Sequence, residues 1–374
     1  MDDSDRTPFT VRIDEEAVYD LRERIRATRW PDAETVDDWS QGVSTEYLRD
    51  LAAYWSEKYD PGRIATRLNR HPQEIVRVDG LDLHVVHVRS THAGALPLLL
   101  THGWPSTVAE FDGVIDALTD PPDPADAFHL VIPSLPGHGF SARPTDTGWG
   151  VPRIARAWAE LMAVLGYDRY GAHGGDWGSW VTGVLGQVDA PHLAGLHLTM
   201  PMAPACEVTG ELSERDRAAM AKMQGFGRNR SAYAALQSTR PQTLGFGLHD
   251  SPVGQLAWIL DRFWEWSDHD GDLRSAVDRD VLLDIVTTYW LTGTATSAAR
   301  LFWESFGSDP MAQVDVPTGA SVFPNDAWMP RAWCEQRFTD LRYWRDLPDG
   351  GHFPAIERPD VLVEEIRTFF RLVR

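Results

Sequence analysis

Cysteine is nearly missing from this chain. Cys206 and Cys334 are the only two, far apart and without metal-ligand spacing, so neither a disulfide framework nor a metal site is expected. A reducing compartment fits. Lysine is as rare, with Lys58 and Lys222 the only examples, a bias that GC-rich coding produces and from which no mechanism follows. No apolar run approaches the roughly 20 residues that a spanning helix needs. The start of the chain carries Asp2, Asp3 and Asp5 in place of a signal peptide's apolar h-region. Positive charge is also short: 35 Lys and Arg against 55 Asp and Glu give a net charge of -20, and no basic cluster reverses it locally. Such a surface repels phosphate backbones and anionic bilayers. The expectation is a cytoplasmic protein with neither nucleic acid nor membrane as a partner; a homo-oligomer is compatible with the sequence.

What is present is ordinary globular composition, 43% hydrophobic and 24% charged over 374 residues. Residues 13–58 read as two helices: Val18, Leu21 and Ile25 recur at helical spacing, as do Tyr47, Leu48, Leu51, Tyr54 and Trp55 after a capping Ser44. Trp30 and Trp39 anchor the irregular stretch between them, so this leading segment is expected to drape over a core. From Glu74 the period changes to two, with Ile75, Val76 and Val78, the turn Asp79-Gly80, then Leu83 to Val88, a hairpin. Apolar runs at Leu96–Leu100 and Phe128–Pro133 alternate with helical stretches, one carrying Ile154, Trp158, Leu161, Met162 and Leu165 on a single face. That alternation implies an α/β class, a mostly parallel sheet with helices on both faces and functional residues at the carboxyl ends of strands. From about Ala203 to Ser308 the strand signal fades into an aromatic-rich helical stretch, after which strands resume near Ala320–Phe323 and Leu341–Trp344. The expected division is a leading meander over 1–73, a first core part over 74–202, an inserted lid over 203–308 and a second core part over 309–374.

The chemistry concentrates at Gly174-Gly175-Asp176-Trp177-Gly178, between a strand and a helix. Flanking glycines at such a place let the backbone make a tight elbow that presents its central residue. Here that residue is an aspartate. A carboxylate is a poor acyl-transfer nucleophile but can displace a leaving group from saturated carbon, giving an alkyl ester that water must then cleave. Epoxides and alkyl halides suit that sequence of steps. Taken alone, Asp176 could equally cap its helix.

His102-Gly103-Trp104-Pro105 follows a strand where one oxyanion amide is needed, and the residue after the nucleophile supplies another, so the expected donors are the amides of Trp104 and Trp177. His352, in the late loop Gly350-Gly351-His352-Phe353, is the best placed of 13 histidines to act as a base. Asp326, following Phe323-Pro324-Asn325 at a strand end, is its candidate carboxylate partner, with a helix cap as the alternative. Opening a strained ring also needs an acid, and a tyrosine in the lid suits the task. Composition alone leaves Tyr233 and Tyr289 open.

With these residues in view, the chain resembles, over nearly its whole length, the microsomal-type epoxide hydrolases that carry an N-terminal meander on an α/β-hydrolase fold. The resemblance rests on Arg29-Trp30-Pro31, His102 to Pro105, Ser134 to Ser141, Gly174 to Gly178, Asp250 to Gly254, Tyr289 to Thr294 and Gly350 to Phe353. It implies Asp176 as nucleophile, His352 as base, Asp326 as its partner and Tyr233 as one of two lid tyrosines that polarise the epoxide oxygen, with no cofactor. The substrate is then a small-molecule epoxide, and the aromatic lid suggests a bulky or flat one, with Phe302, Trp303, Gln237 and Phe353 lining its pocket. Detoxification and natural-product biosynthesis are both compatible.

Two features depart from the family pattern. Mammalian members begin with a membrane anchor that this sequence does not show, so a soluble, bacterial-like member is expected. The second lid tyrosine should fall within Arg300 to Ser305, where Phe302 stands, and a phenyl ring cannot donate. Tyr233 is then the sole tyrosine acid, suited to an activated epoxide such as a benzylic one. Competing readings are a haloalkane dehalogenase, with Trp104 and Trp177 indoles holding the halide, and a binding protein on a weakened hydrolase scaffold.

Overall fold

The computed structural model describes residues 6–207, 211–308 and 311–374. Short apolar runs bounded by turns become strands β1 (Arg6–Pro8), β2 (Gln73–Val78), β3 (Leu81–Val88), β4 (Leu96–Thr101), β5 (Phe128–Pro133), β6 (Tyr170–Gly174), β7 (Leu193–Leu198), β8 (Thr318–Val322) and β9 (Leu341–Asp346). They form one sheet in the order β1-β2-β3-β5-β4-β6-β7-β8-β9. The edge from β1 to β5 pairs antiparallel, and every neighbour from β5 to β9 is parallel. Because strand side chains alternate, Leu99 and Val131 enter one core while Leu98, Leu100, Leu130 and Ile132 enter the other. Helices Val151–Val164 and Asp176–Val188 cover the first face, and helices Asp112–Thr119 and Pro359–Phe370 the second. The second face closes over glycines on three adjacent strands, Gly171 level with Gly195 and Gly319 two residues further along. A Cβ at Gly171 would lie 2.3 Å from the Phe370 ring, and Cβ atoms at Gly195 and Gly319 would lie 2.9 and 2.4 Å from Phe369.

Between β7 and β8 the described residues are helical, with helices Glu214–Asn229, Ala232–Thr239, Pro241–Asp250, Pro252–Trp266, Arg279–Thr292 and Ala295–Ser305. They pack over the carboxyl end of the sheet, where Tyr233 and Phe302 meet Trp104 and Phe302 meets Trp177. The leading segment ties this roof down. Its helices Glu15–Arg26 and Thr45–Glu57 begin at Asp14 and Ser44, whose side chains accept from Glu16 N and Tyr47 N. Trp39 stacks on Trp264 at 3.8 Å, and Trp55 Nε1 donates to Thr287 Oγ1 at 2.8 Å. Asp284, only 2% exposed, accepts from Tyr59 Oη at 2.6 Å, Arg63 Nε at 3.1 Å and Arg67 Nη1 at 2.7 Å. Arg67 also reaches Asp112 on the core, so one knot joins meander, roof and core. Among the described residues no helix is long and apolar enough to cross a membrane.

Candidate active site

Asp176 is the first residue of the helix after β6 and has φ +48°. A non-glycine residue held there costs about 1–3 kcal/mol, strain that the surroundings must impose. The neighbours make it possible by having no side chains: a Cβ on Gly174 would lie 2.2 Å from the Gly178 backbone, and one on Gly178 would lie 1.9 Å from the Thr101 carbonyl oxygen. The cap of this helix is Gly175, not Asp176. The Asp176 carboxylate turns away to accept from Trp104 N at 2.8 Å through Oδ1. Gly103 makes room, since a Cβ there would fall 2.3 Å from that same oxygen. Trp177 N lies in the helix's first turn, where amides have no intrahelical acceptor.

The other Asp176 oxygen, Oδ2, lies 3.4 Å from His352 Nε2. His352 Nδ1 meets Asp326 Oδ1 at 2.6 Å, and Asp326 also accepts from Ala327 N. The next helix begins only at Arg331, so Asp326 caps none. Burial opposes a charged imidazole, but the Asp326 and Asp176 carboxylates outweigh it and hold His352 well above its ordinary pKa. The loop around it is pinned: His352 N donates to Trp266 O at 2.9 Å, and Glu357 accepts from Phe353 N and Asp268 N. Sequence reasoning missed Glu357, whose carboxyl burial pushes up to about 7.

Tyr233, on helix Ala232–Thr239, lays its ring parallel to Trp104 at 5.3 Å and edge-on to Trp266 at 5.2 Å, with the Arg262 guanidinium 4.9 Å from its centre. Burial and the Asp176 charge raise its pKa, so the hydroxyl keeps its proton at neutral pH. Tyr289 is committed elsewhere: its hydroxyl donates to Ser106 O at 3.0 Å. Phe302 stands edge-on to Trp104, Trp177 and Tyr233, and the buried Trp177 Nε1 has no hydrogen-bond partner among the described residues. Phe353 stacks on Phe263 at 4.0 Å beside His352. Gln237 is fully buried and accepts from Trp258 Nε1, leaving its own Nε2 unpaired among the described residues.

The pocket expectation fails at Trp303, which is 50% exposed. One helical step of about 100° separates it from the buried Phe302 and turns it outward. His102, next to the oxyanion loop, is structural: Leu135 N donates to its Nε2 at 3.1 Å, and burial drives its pKa down to about 3. Sequence reasoning also passed over Glu110, in the turn Val108–Phe111, which lines a cavity with Asp176 and His352. No group of His, Cys, Asp and Glu among the described residues could hold a metal ion.

Comparison with known proteins points to one family. Residues 6–111 match a family model described as the epoxide hydrolase N terminus, and residues 97–244 one described as the alpha/beta hydrolase fold. A protein of Stigmatella aurantiaca (strain DW4/3-1), provisionally named an epoxide hydrolase, is 47% identical over 98% of this chain and 85% of its own. Epoxide hydrolase 1 of Sus scrofa is 32% identical over 100% of this chain and 90% of its own. The solved structure of Aspergillus niger epoxide hydrolase superposes with a TM-score of 0.89 at 32% identity, covering 98% of this chain and 96% of that one.

Proposed function

This chain belongs to the epoxide hydrolase family of the α/β-hydrolase fold, and we propose that it opens its substrate through an ester formed on Asp176. Oδ2 of Asp176 attacks an epoxide carbon, the ring C–O bond breaks, and the departing oxygen takes the proton of the Tyr233 hydroxyl. Oδ1, held by Trp104 N, stays behind as the ester carbonyl oxygen, with the Trp177 amide proposed as its second donor.

Ester formation then changes the base. While Asp176 is a carboxylate it helps to keep His352 protonated; once esterified it carries no charge, the imidazole pKa falls, and His352 releases its proton to solvent, to be regained when Asp176 returns as a carboxylate. His352 Nε2 takes a proton from water, the water oxygen adds to the Asp176 carboxyl carbon, and the two amides hold the resulting oxyanion. Collapse breaks the bond to the diol, whose oxygen receives the proton from His352. The second proton of the water restores Tyr233, and Asp176 returns as a carboxylate carrying one oxygen from water.

The observation that supports this most is the aspartate at the elbow, with one oxygen on the Trp104 amide at 2.8 Å and the other 3.4 Å from an imidazole backed by Asp326 at 2.6 Å. The cluster of aromatic rings formed by Tyr233, Trp104, Trp177 and Phe302 favours a bulky aryl epoxide. A single turnover in heavy-oxygen water should place label in Asp176, and His352→Gln should accumulate the ester, seen as an intact-mass increase equal to the substrate. Undiminished diol formation by Asp176→Ala would overturn the proposal.

A further inference from the structure

Hydrolysis of the ester consumes water at a moment when the substrate's own carbon skeleton fills the aromatic pocket, so the water must come from another side. Asp176 and His352 border a cavity together with Ser106, Glu110, Thr199 and Phe353. Neither Tyr233 nor Phe302 lines it. It offers about 20 Å³ to the centre of a water-sized molecule, against the roughly 10–15 Å³ that one water requires by that measure. That space suits water and excludes an epoxide. Its walls are polar in a way the protein does not itself satisfy: Ser106 Oγ and Thr199 Oγ1 are both buried without a hydrogen-bond partner among the described residues. Buried hydroxyls are nearly always paired with protein or ordered water. Burial pushes the Glu110 carboxyl up to about 8, with Ser106 and the His352 charge opposing and Asp176 reinforcing. At neutral pH Glu110 therefore offers one O–H donor and one acceptor oxygen, without setting a second negative charge against Asp176.

We propose that this cavity seats the hydrolytic water and that Glu110, with Ser106 and Thr199, is the positioning residue that holds it between His352 Nε2 and the Asp176 carboxyl carbon. The inference rests on the reading of Asp176 as the ester-forming nucleophile. It assigns Glu110 to the second chemical step alone, because of the residues that line this cavity the first step draws only on Asp176 and the Trp104 amide.

The test is a stopped-flow single turnover with the full chain and styrene oxide as probe, resolving alkylation from hydrolysis, with intact-mass detection of the ester. Glu110→Ala should leave alkylation within about twofold while slowing hydrolysis on the order of 10- to 100-fold, the scale of a misplaced reactant. The ester then accumulates, and kcat and KM fall together so that kcat/KM stays constant. Glu110→Gln, which keeps a donor and an acceptor, should recover most of the rate. Thr199→Val, a smaller change of shape, should slow hydrolysis several-fold and serves if Glu110→Ala does not fold. Equal loss in both steps, or normal hydrolysis in Glu110→Ala and Thr199→Val, overturns the inference. If wild type and His352→Gln give no ester at all, it is the reading of Asp176 that fails.

Discussion

Phe302→Tyr should make this enzyme faster at ring opening. The Phe302 ring is 3% exposed and stands edge-on to Tyr233 at 5.9 Å, to Trp104 at 5.5 Å and to Trp177 at 4.8 Å. On the proposed mechanism, a hydroxyl added to this ring is expected to join the Tyr233 hydroxyl as a second donor to the departing oxygen. One donor aimed at a developing oxyanion is worth about 2.7–4 kcal/mol, or on the order of 10²- to 10³-fold in rate. Some of that gain is lost to packing, since an added polar group in a closed aromatic cluster costs about 1–3 kcal/mol if it is left unpaired. The cluster already holds a spare donor, Trp177 Nε1, which can pair with the new oxygen and limit the cost. The expected result is alkylation faster by about 10-fold or more, roughly half the free energy of a well-aimed donor, with stability lower by about 1 kcal/mol. Tryptophan fluorescence in a stopped-flow single turnover with styrene oxide reads the first quantity, and urea unfolding the second. The double variant Tyr233→Phe, Phe302→Tyr should also outperform Tyr233→Phe alone. A folded Phe302→Tyr protein with unchanged or slower alkylation would refute the idea that a donor is missing at this position.

Asp326→Asn removes the charge that most raises the His352 pKa, so the acidic limb of the hydrolysis step should move to lower pH. Its plateau should meanwhile fall on the order of 10³- to 10⁴-fold, because the imidazole loses its oriented tautomer; an unmoved limb in single-turnover pH profiles would count against the pairing. Asp284→Ala strands Tyr59, Arg63 and Arg67 at the knot beneath the roof and should cost about 3 kcal/mol in urea unfolding. A loss below about 1 kcal/mol, the level of an exposed ion pair, would show that the knot is ornamental. Gly103→Ala puts a Cβ 2.3 Å from Asp176 Oδ1. It should cut alkylation on the order of 10²-fold by displacing the nucleophile, with near-native circular dichroism; retained alkylation would place Asp176 elsewhere during attack.

Local chemistry was the legible part of this sequence. The elbow can be read because its constraints lie within five consecutive residues, Gly174 to Gly178, whose three glycines are each fixed by contacts that only a missing side chain allows. The parallel sheet followed from apolar runs that alternate with helical spacing, as in β4 and β5. The strand Arg6–Pro8 escaped notice because three residues at a sheet edge carry no period to detect. Trp303 was misread because neighbours in sequence point in different directions on a helix, and only the tertiary packing says which one faces inward. Glu110 was invisible for the opposite reason: a carboxyl reads as solvent-facing until the fold closes Phe353 and Thr199 around it. The residues alone left Tyr233 and Tyr289 open and only the resemblance favoured Tyr233; the hydrogen bond from Tyr289 to Ser106 O, which spans 183 residues of sequence, supports that reading.

Trp104 has one consequence that reaches beyond its amide. Its main chain donates to the Asp176 carboxylate while its indole lies parallel to the Tyr233 ring, so on the proposed mechanism a single residue borders both the point where carbon is struck and the point where oxygen is quenched. Epoxides that fit badly between those two points should then be poor substrates.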